Sequence, residues 1–134
     1  MTDIHDKILG DNYRLRSKYL ATSHFYSPSE IQSFSKYNQI PNIAESLESR
    51  KIIFSVSDGE KKLYPSFQFQ DDEPREIIND LLSKMPSGMS SWNVAFWFYS
   101  GNGYLDGKAP QESLESTTSL MHALDQLLKE NIFG

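Results

Sequence analysis

The run SSWNVAFWFYS at positions 90–100 places the tightest limit on what this chain can fold into. With Ser90 as N-cap it reads as a helix carrying Trp92, Ala95, Phe96 and Tyr99 on one face and Val94, Trp97 and Phe98 on another. A helix apolar nearly all round has no side to show to water, so the rest of the chain must wrap it. At 134 residues there is enough chain to do this as one domain, with or without a small accessory lobe.

The wrapping elements are legible from their periods. Ile4, Ile8, Leu15 and Tyr19 have loose helical spacing broken by Gly10, which predicts a helix or an arm. Ser27, Pro28 and Glu30 spell a capping box with Pro at the first helical position, and Ile31 and Phe34 face inward from the helix it starts. Tyr37-Asn38-Gln39 reads as a tight turn, and Pro41 as the opening of a second helix through Ile43, Ala44 and Leu47. The period then changes from 3.6 to 2. Ile52, Phe54 and Val56 alternate with Ile53, Ser55 and Ser57, Asp58-Gly59 is a turn signal, and LYPSFQF returns with Phe67 and Phe69 opposite Ser66 and Gln68. Pro65 belongs at an edge or strand end because it cannot donate to a ladder. After QDDEP, with Asp72 as cap and Glu73 and Glu76 at the positive end, Ile77, Ile78, Leu81, Leu82 and Met85 form a helical stripe. The last helix is capped by Thr117 or Thr118 and carries Leu120, Met121, Leu124, Leu127 and Leu128.

The fold class read from this is mainly α. A helix-turn-helix with a small two-stranded β-hairpin wing, over 1–70, precedes a compact C-terminal helical bundle over 71–134. Helix-turn-helix followed at once by a hairpin is the chain order of a winged helix.

Between the apolar helix and the last one lies YSGNGYLDGKAPQESL, whose glycines invite a nucleotide-loop reading. The offsets refuse it. A phosphate-binding loop ending at Gly107-Lys108 needs glycine where Asn102 stands and a hydroxyl where Ala109 stands. A dinucleotide fingerprint needs glycine at Asp106, and a calcium loop starting at Asn102 would put Tyr104 and Ser113 at ligand positions. The loop is read instead as structural: Gly101 or Gly103 ends the helix in a left-handed conformation, Gly107 permits a second tight turn, Leu105 anchors to the core, and Pro110 opens a short helix through Leu114. His5, His24 and His122 are scattered, no serine sits in a nucleophile elbow, and the acids at 71–73 diverge as neighbours. The reading is non-enzymatic, with no cofactor and no metal.

Charge is uneven. Residues 1–63 carry nine Lys/Arg against eight Asp/Glu, whereas residues 64–134 carry four against ten, so the second half suits nucleic acid poorly. In the first half the DNA-facing candidates are Asn42, Ser46 and Arg50 on the second helix and Lys61 and Lys62 on the hairpin, with Arg14, Arg16 and Lys18 upstream. Glu45 and Glu48 on that helix would be repelled by phosphates. No window is long and apolar enough for a membrane helix, and the charged N-terminal residues lack the apolar core of a signal peptide. The chain has no cysteine, which excludes disulfides and a cysteine nucleophile and makes the cytoplasm the expected location.

One ordered set of residues is more specific. Tyr64, Pro65, Phe67, Gln68 and Phe69, then Trp92, Ala95 and Trp97, then Asn102, Leu105, Gly107, Pro110 and Leu114 follow one another from residue 63 onward. This order resembles the toxin-binding domain of the Xre/MbcA/ParS-like antitoxin family. The resemblance implies a bacterial type II antitoxin that neutralises a RES-domain, NAD-degrading toxin by occlusion, commonly as a homodimer and often repressing its own operon through operator DNA. On this chain the occluding surface would comprise Asn102, Leu105, Asp106 and Lys108 of the turn, with Lys129, Asn131, Ile132 and Phe133 of the last helix and tail. Two departures stand out. The N-terminal part lacks the longer all-helical DNA-binding domain of that family, and Asp106 stands where a small residue is expected. The alternative reading is a winged-helix transcriptional regulator whose C-terminal region mediates dimerisation.

Overall fold

The protein's structure, a computed structural model, describes residues 13–130. Its first half holds helix α1 (13–22), strand β1 (Phe25–Tyr26), helices α2 (Pro28–Gln32) and α3 (Ile43–Ser49), and strands β2 (Val56–Asp58) and β3 (Lys61–Pro65). Strands β4 (Phe69–Gln70) and β5 (Glu73–Pro74) lead into helices α4 (Glu76–Lys84), α5 (Ser91–Tyr99) and α6 (Thr117–Glu130). The architecture is mainly α with small antiparallel sheets, one of order β1-β3-β2 and one pairing β4 with β5. No helix of the described residues is long and apolar enough to cross a membrane.

Local chemistry explains most of these boundaries. At α2 the Ser27 hydroxyl accepts from the Glu30 N–H at 3.1 Å, and the Glu30 carboxylate accepts from the Ser27 N–H at 2.9 Å. The connection to α3 is not a tight turn. Residues 33–42 run through successive turns, and α3 begins after Asn42 in a left-handed conformation, leaving Pro41 outside the helix. Gln32 closes this connection: its amide nitrogen donates to the Tyr37 and Ile40 carbonyls, and its oxygen accepts from the Ile43 N–H.

The hairpin is shorter than its period suggests. Only Val56–Asp58 pairs with Lys61–Leu63, closed by Gly59-Glu60 with Gly59 at φ 64°, and β1 adds a third strand on the far side of β3. Pro65 ends β3, opposite Phe25. LYPSFQF is not one strand, because Ser66–Gln68 turn as a 3₁₀ segment. That turn rotates Phe67 and Phe69 out of register, so each serves a different core. It also carries Gln68 inward, to zero exposure. There its side chain accepts from the Phe54 N–H at 2.7 Å and donates to the Phe54 carbonyl at 2.9 Å, acting as a strand partner where no strand exists.

The expected cap at Asp72 is also replaced. Asp71 and Asp72 both have positive φ, 54° and 62°, and form the two-residue loop between Gln70 and Glu73. Arg75 is the N-cap of α4, and Glu73 pairs with Lys36 at 2.7 Å instead of serving the helix end. Ser90 caps α5 as its sequence position requires, accepting from the Asn93 N–H at 3.2 Å. At α6 the first helical bond runs from Leu120 to the Ser116 carbonyl, so the helix starts one residue earlier than a Thr117 cap would allow and two earlier than a Thr118 cap would.

Buried side chains gather in two clusters. The larger surrounds α5, whose Trp92, Val94, Ala95, Trp97, Phe98 and Tyr99 are all buried against α4, α6 and the loop residues Leu105 and Leu114. The helix apolar all round is thus wrapped on nearly every side, with Phe96 only partly covered. The smaller cluster joins Ile31, Phe34 and Tyr37 to Ile43, Ala44, Leu47, Ile53, Tyr64 and Phe69. Residues 53–69 are the seam: Ile53, Tyr64 and Phe69 point to the smaller cluster, and Phe54, Val56, Leu63 and Phe67 to the larger. Strand alternation sends Leu63 and Tyr64 to opposite cores, while the 3₁₀ turn at Ser66–Gln68 separates Phe67 from Phe69. Of the N-terminal positions, Tyr19 stacks on Tyr99 with ring centroids 4.7 Å apart, while Ile4, Ile8 and Gly10 lie outside the described residues.

Candidate functional site

The loop after α5 is built around Asn102. Its N–H donates to the Lys108 carbonyl at 3.0 Å, and its own carbonyl accepts from Leu105 and Gly107 at 3.0 and 2.9 Å. Its side-chain oxygen accepts from the Tyr104 N–H at 2.9 Å. Two consecutive left-handed residues, Asp106 at φ 56° and Gly107 at φ 82°, reverse the chain. Neither Gly101 nor Gly103 is left-handed, which corrects the expected helix ending; Ser100 leaves α5 in an extended conformation. Gly101 is needed for proximity, since a Cβ there would meet the Gly107 carbonyl oxygen at 2.8 Å, whereas at Gly103 it would meet nothing.

This loop sorts the predicted contact residues. Leu105 is buried at 6% exposure, so it anchors the loop and offers nothing to a partner. Asp106 and Lys108 are exposed, and Asn102 is half-buried with its hydrogen bonds turned inward. Lys129 is exposed on α6; Asn131, Ile132 and Phe133 lie outside the described residues. Sequence reasoning passed over Tyr104, which stands 49% exposed at the loop tip with its ring edge-on to His122 of α6, centroids 5.6 Å apart. A large aromatic between two turn glycines was the available signal.

Beside the loop, α5 and α6 leave a groove in two connected parts. One, of about 340 Å³, lies over Met89, Phe96, Trp97 and Leu127, edged by Asn93 and Ser100. The other, of about 240 Å³, lies between Trp97, Tyr104, Leu127 and Glu130. Both share Trp97, Gly101, Asn102 and Leu127.

The α3–hairpin face is organised differently. Glu48 is an acceptor for three groups: the Ser55 hydroxyl at 2.8 Å, the Tyr64 hydroxyl at 2.9 Å and the Lys62 ammonium at 3.0 Å. Burial and this hydrogen bond raise the Tyr64 phenol well above its ordinary value. Arg50 folds back on its own helix, donating to the Ser46 carbonyl and hydroxyl at 3.3 and 3.2 Å. Of the DNA-facing candidates, Asn42 and Lys61 are left exposed, while Ser46, Arg50 and Lys62 have intramolecular partners. Glu45 is exposed on the same helix.

Among the described residues, no group of three or more His, Asp or Glu side chains is placed to hold a metal ion. His24 meets the Tyr26 ring edge-on and His122 meets Tyr104; His5 lies outside the described residues. Comparison with protein-family models, curated proteins and solved structures gave no match.

Proposed function

We propose that this chain is a non-enzymatic protein-binding module of the antitoxin kind, acting in the cytoplasm to neutralise a RES-type, NAD-degrading toxin by covering its active site. The 101–108 loop carries this reading. Its main chain is closed by bonds to both the N–H and the carbonyl of Asn102, it gives Leu105 to the core, and it holds Tyr104, Asp106 and Lys108 in water. A loop ordered before contact loses little conformational freedom on binding, which favours affinity. The contact surface we assign is this loop with the adjoining side of α6 through Lys129 and on to Asn131, Ile132 and Phe133. An excess of acids over bases in residues 64–134 suits a partner whose own site receives an anionic cofactor.

The test is reconstitution with a RES-type toxin encoded beside this chain's gene, following NAD hydrolysis as the chain is titrated in. We expect stoichiometric inhibition and a complex that survives gel filtration, with Asp106→Lys weakening inhibition about ten-fold. Undiminished NAD hydrolysis at saturating chain would remove the proposal. The resemblance also carries a homodimer, which sedimentation equilibrium checks.

A second reading, a winged-helix regulator over residues 1–70, is favoured by one observation. The chain order α2, α3, β2, β3 supports it, two short helices preceding a hairpin, although a ten-residue connection at 33–42 stands where a helix-turn-helix has a tight turn. The electrostatics argue for weak binding, since Lys62 is tied to Glu48 and α3 exposes Glu45. Binding to its own operator with a steep negative dependence of log K on log salt would favour this reading; a shallow slope would count against it.

A further inference from the structure

We infer that the groove between the 101–108 loop and α6 is a receptor for a basic side chain, Arg or Lys, presented by a partner protein; this rests on the proposal that this face binds a protein. The smaller part of the groove is flanked by the rings of Trp97 and Tyr104 and has Glu130 at its rim. No Lys or Arg lines either part, and Glu130 is the charged side chain among the lining residues. Two aromatic rings and a carboxylate lining one cleft attract a cation by ring quadrupole and by charge together. An acidic partner would gain neither and would meet Glu130 directly.

Among the described residues, the cleft is left open. Tyr104 is placed at the tip by the bond from its N–H to the Asn102 side-chain oxygen, which fixes the main chain, and its ring would lose its edge contact with His122 on swinging toward Trp97. The adjoining larger part, floored by Phe96 and Leu127, accepts an apolar neighbour of the basic residue. Asn93 and Ser100 edge that part, and no hydrogen bond within the described residues engages their side chains, which leaves them open to an incoming main chain.

The experiment uses the full chain and three probes at matched ionic strength: acetyl-Leu-Arg-amide, acetyl-Leu-Glu-amide and tetramethylammonium chloride. The readouts are the Trp97 indole N–H and the Tyr104 ring resonances in NMR titrations. We expect saturable shifts with the Arg peptide and at least about ten-fold weaker response to the Glu peptide. Tyr104→Ala and Glu130→Gln should each weaken the Arg peptide by about three-fold, while circular dichroism stays unchanged. Equal responses to the two peptides, or no saturable shift, would overturn the inference. Tetramethylammonium binding as tightly as the Arg peptide would overturn the assignment to a protein side chain. Peptide binding that persists while toxin inhibition fails would separate this inference from the antitoxin reading and leave the cleft with a different protein partner.

Discussion

The two buried clusters of this molecule are held by different means. The larger is built as a helix bundle is: α4, α5 and α6 present apolar stripes, and backbone bonds stay within the helices. In the smaller cluster the helices are only 5 and 7 residues long. Helices that short gain little from their own hydrogen bonds. Side-chain hydrogen bonds hold the smaller cluster together instead: Ser27 and Glu30 cap α2, Gln32 closes the 33–42 connection, Glu48 gathers three donors, and at the seam with the larger core Gln68 pairs with the Phe54 main chain. The lesson is that a small core with short elements depends on particular polar atoms, whereas the larger one depends on volume.

The sharpest way to break this comparison is to remove volume from the larger core. Phe98 is fully buried and stacks on Phe54 at 5.3 Å, so Phe98→Ala should lower unfolding free energy by about 3 to 5 kcal/mol in urea denaturation. At the seam that ties the smaller core to the larger, the matching loss comes from a polar residue. Gln68→Ala would strand the Phe54 N–H and carbonyl and the Pro65 carbonyl, at a cost of about 2 to 3 kcal/mol. A Gln68→Ala variant as stable as the parent would dissolve the distinction between the two cores.

Next in size is a paired glycine test of the loop. Gly101→Ala forces the main chain at Gly107 to shift and should cost about 1 to 3 kcal/mol. Gly103→Ala has open space and should stay within about 0.5 kcal/mol. Similar stabilities for the two would remove the close-approach account of Gly101.

The last effect is silent at neutral pH. Burial pushes the Tyr99 phenol up to about 12, and Tyr64 is raised as well, against an ordinary value near 10. The folded chain therefore keeps these protons where the unfolded chain releases them. Their contribution is fully present below about pH 10 and is lost as pH rises from there through the folded values. Stability should fall over that alkaline range, and Tyr99→Phe should flatten the fall; a parent-like slope in that variant would contradict the burial argument.

Caps and periodic stripes were legible in the residues because they rest on contacts three or four positions apart. Ser27, Pro28 and Glu30 act as their spacing dictates, as do Ser90 and the stripe from Ile77 to Met85. Gln68 was misplaced because alternation says nothing of a 3₁₀ turn, and its partner Phe54 is 14 positions away. Asp72 was taken for a cap because acids favour helix starts, yet Asp71-Asp72 were needed for a left-handed hairpin loop. In the candidate site, Leu105 as anchor was readable, and so was Pro110 as an opener, though of a 3₁₀ segment (Pro110–Glu112) that stops short of Leu114. Tyr104, His122 and Glu130 were not, because their association joins a loop tip to a helix that follows it.

By itself, then, the sequence determined that α5 must be enclosed, that helices dominate, and that the glycine-bearing loop lacks the offsets of the phosphate-binding loop and of the dinucleotide fingerprint. Tertiary structure alone decided which residues of 53–69 serve which core, that Gly101 stands against Gly107, and that Tyr104 and Glu130 flank one cleft. The physical reason is range. Propensity, capping and amphipathic period act within a turn or two of chain, whereas enclosure and close approach depend on segments that meet only after folding.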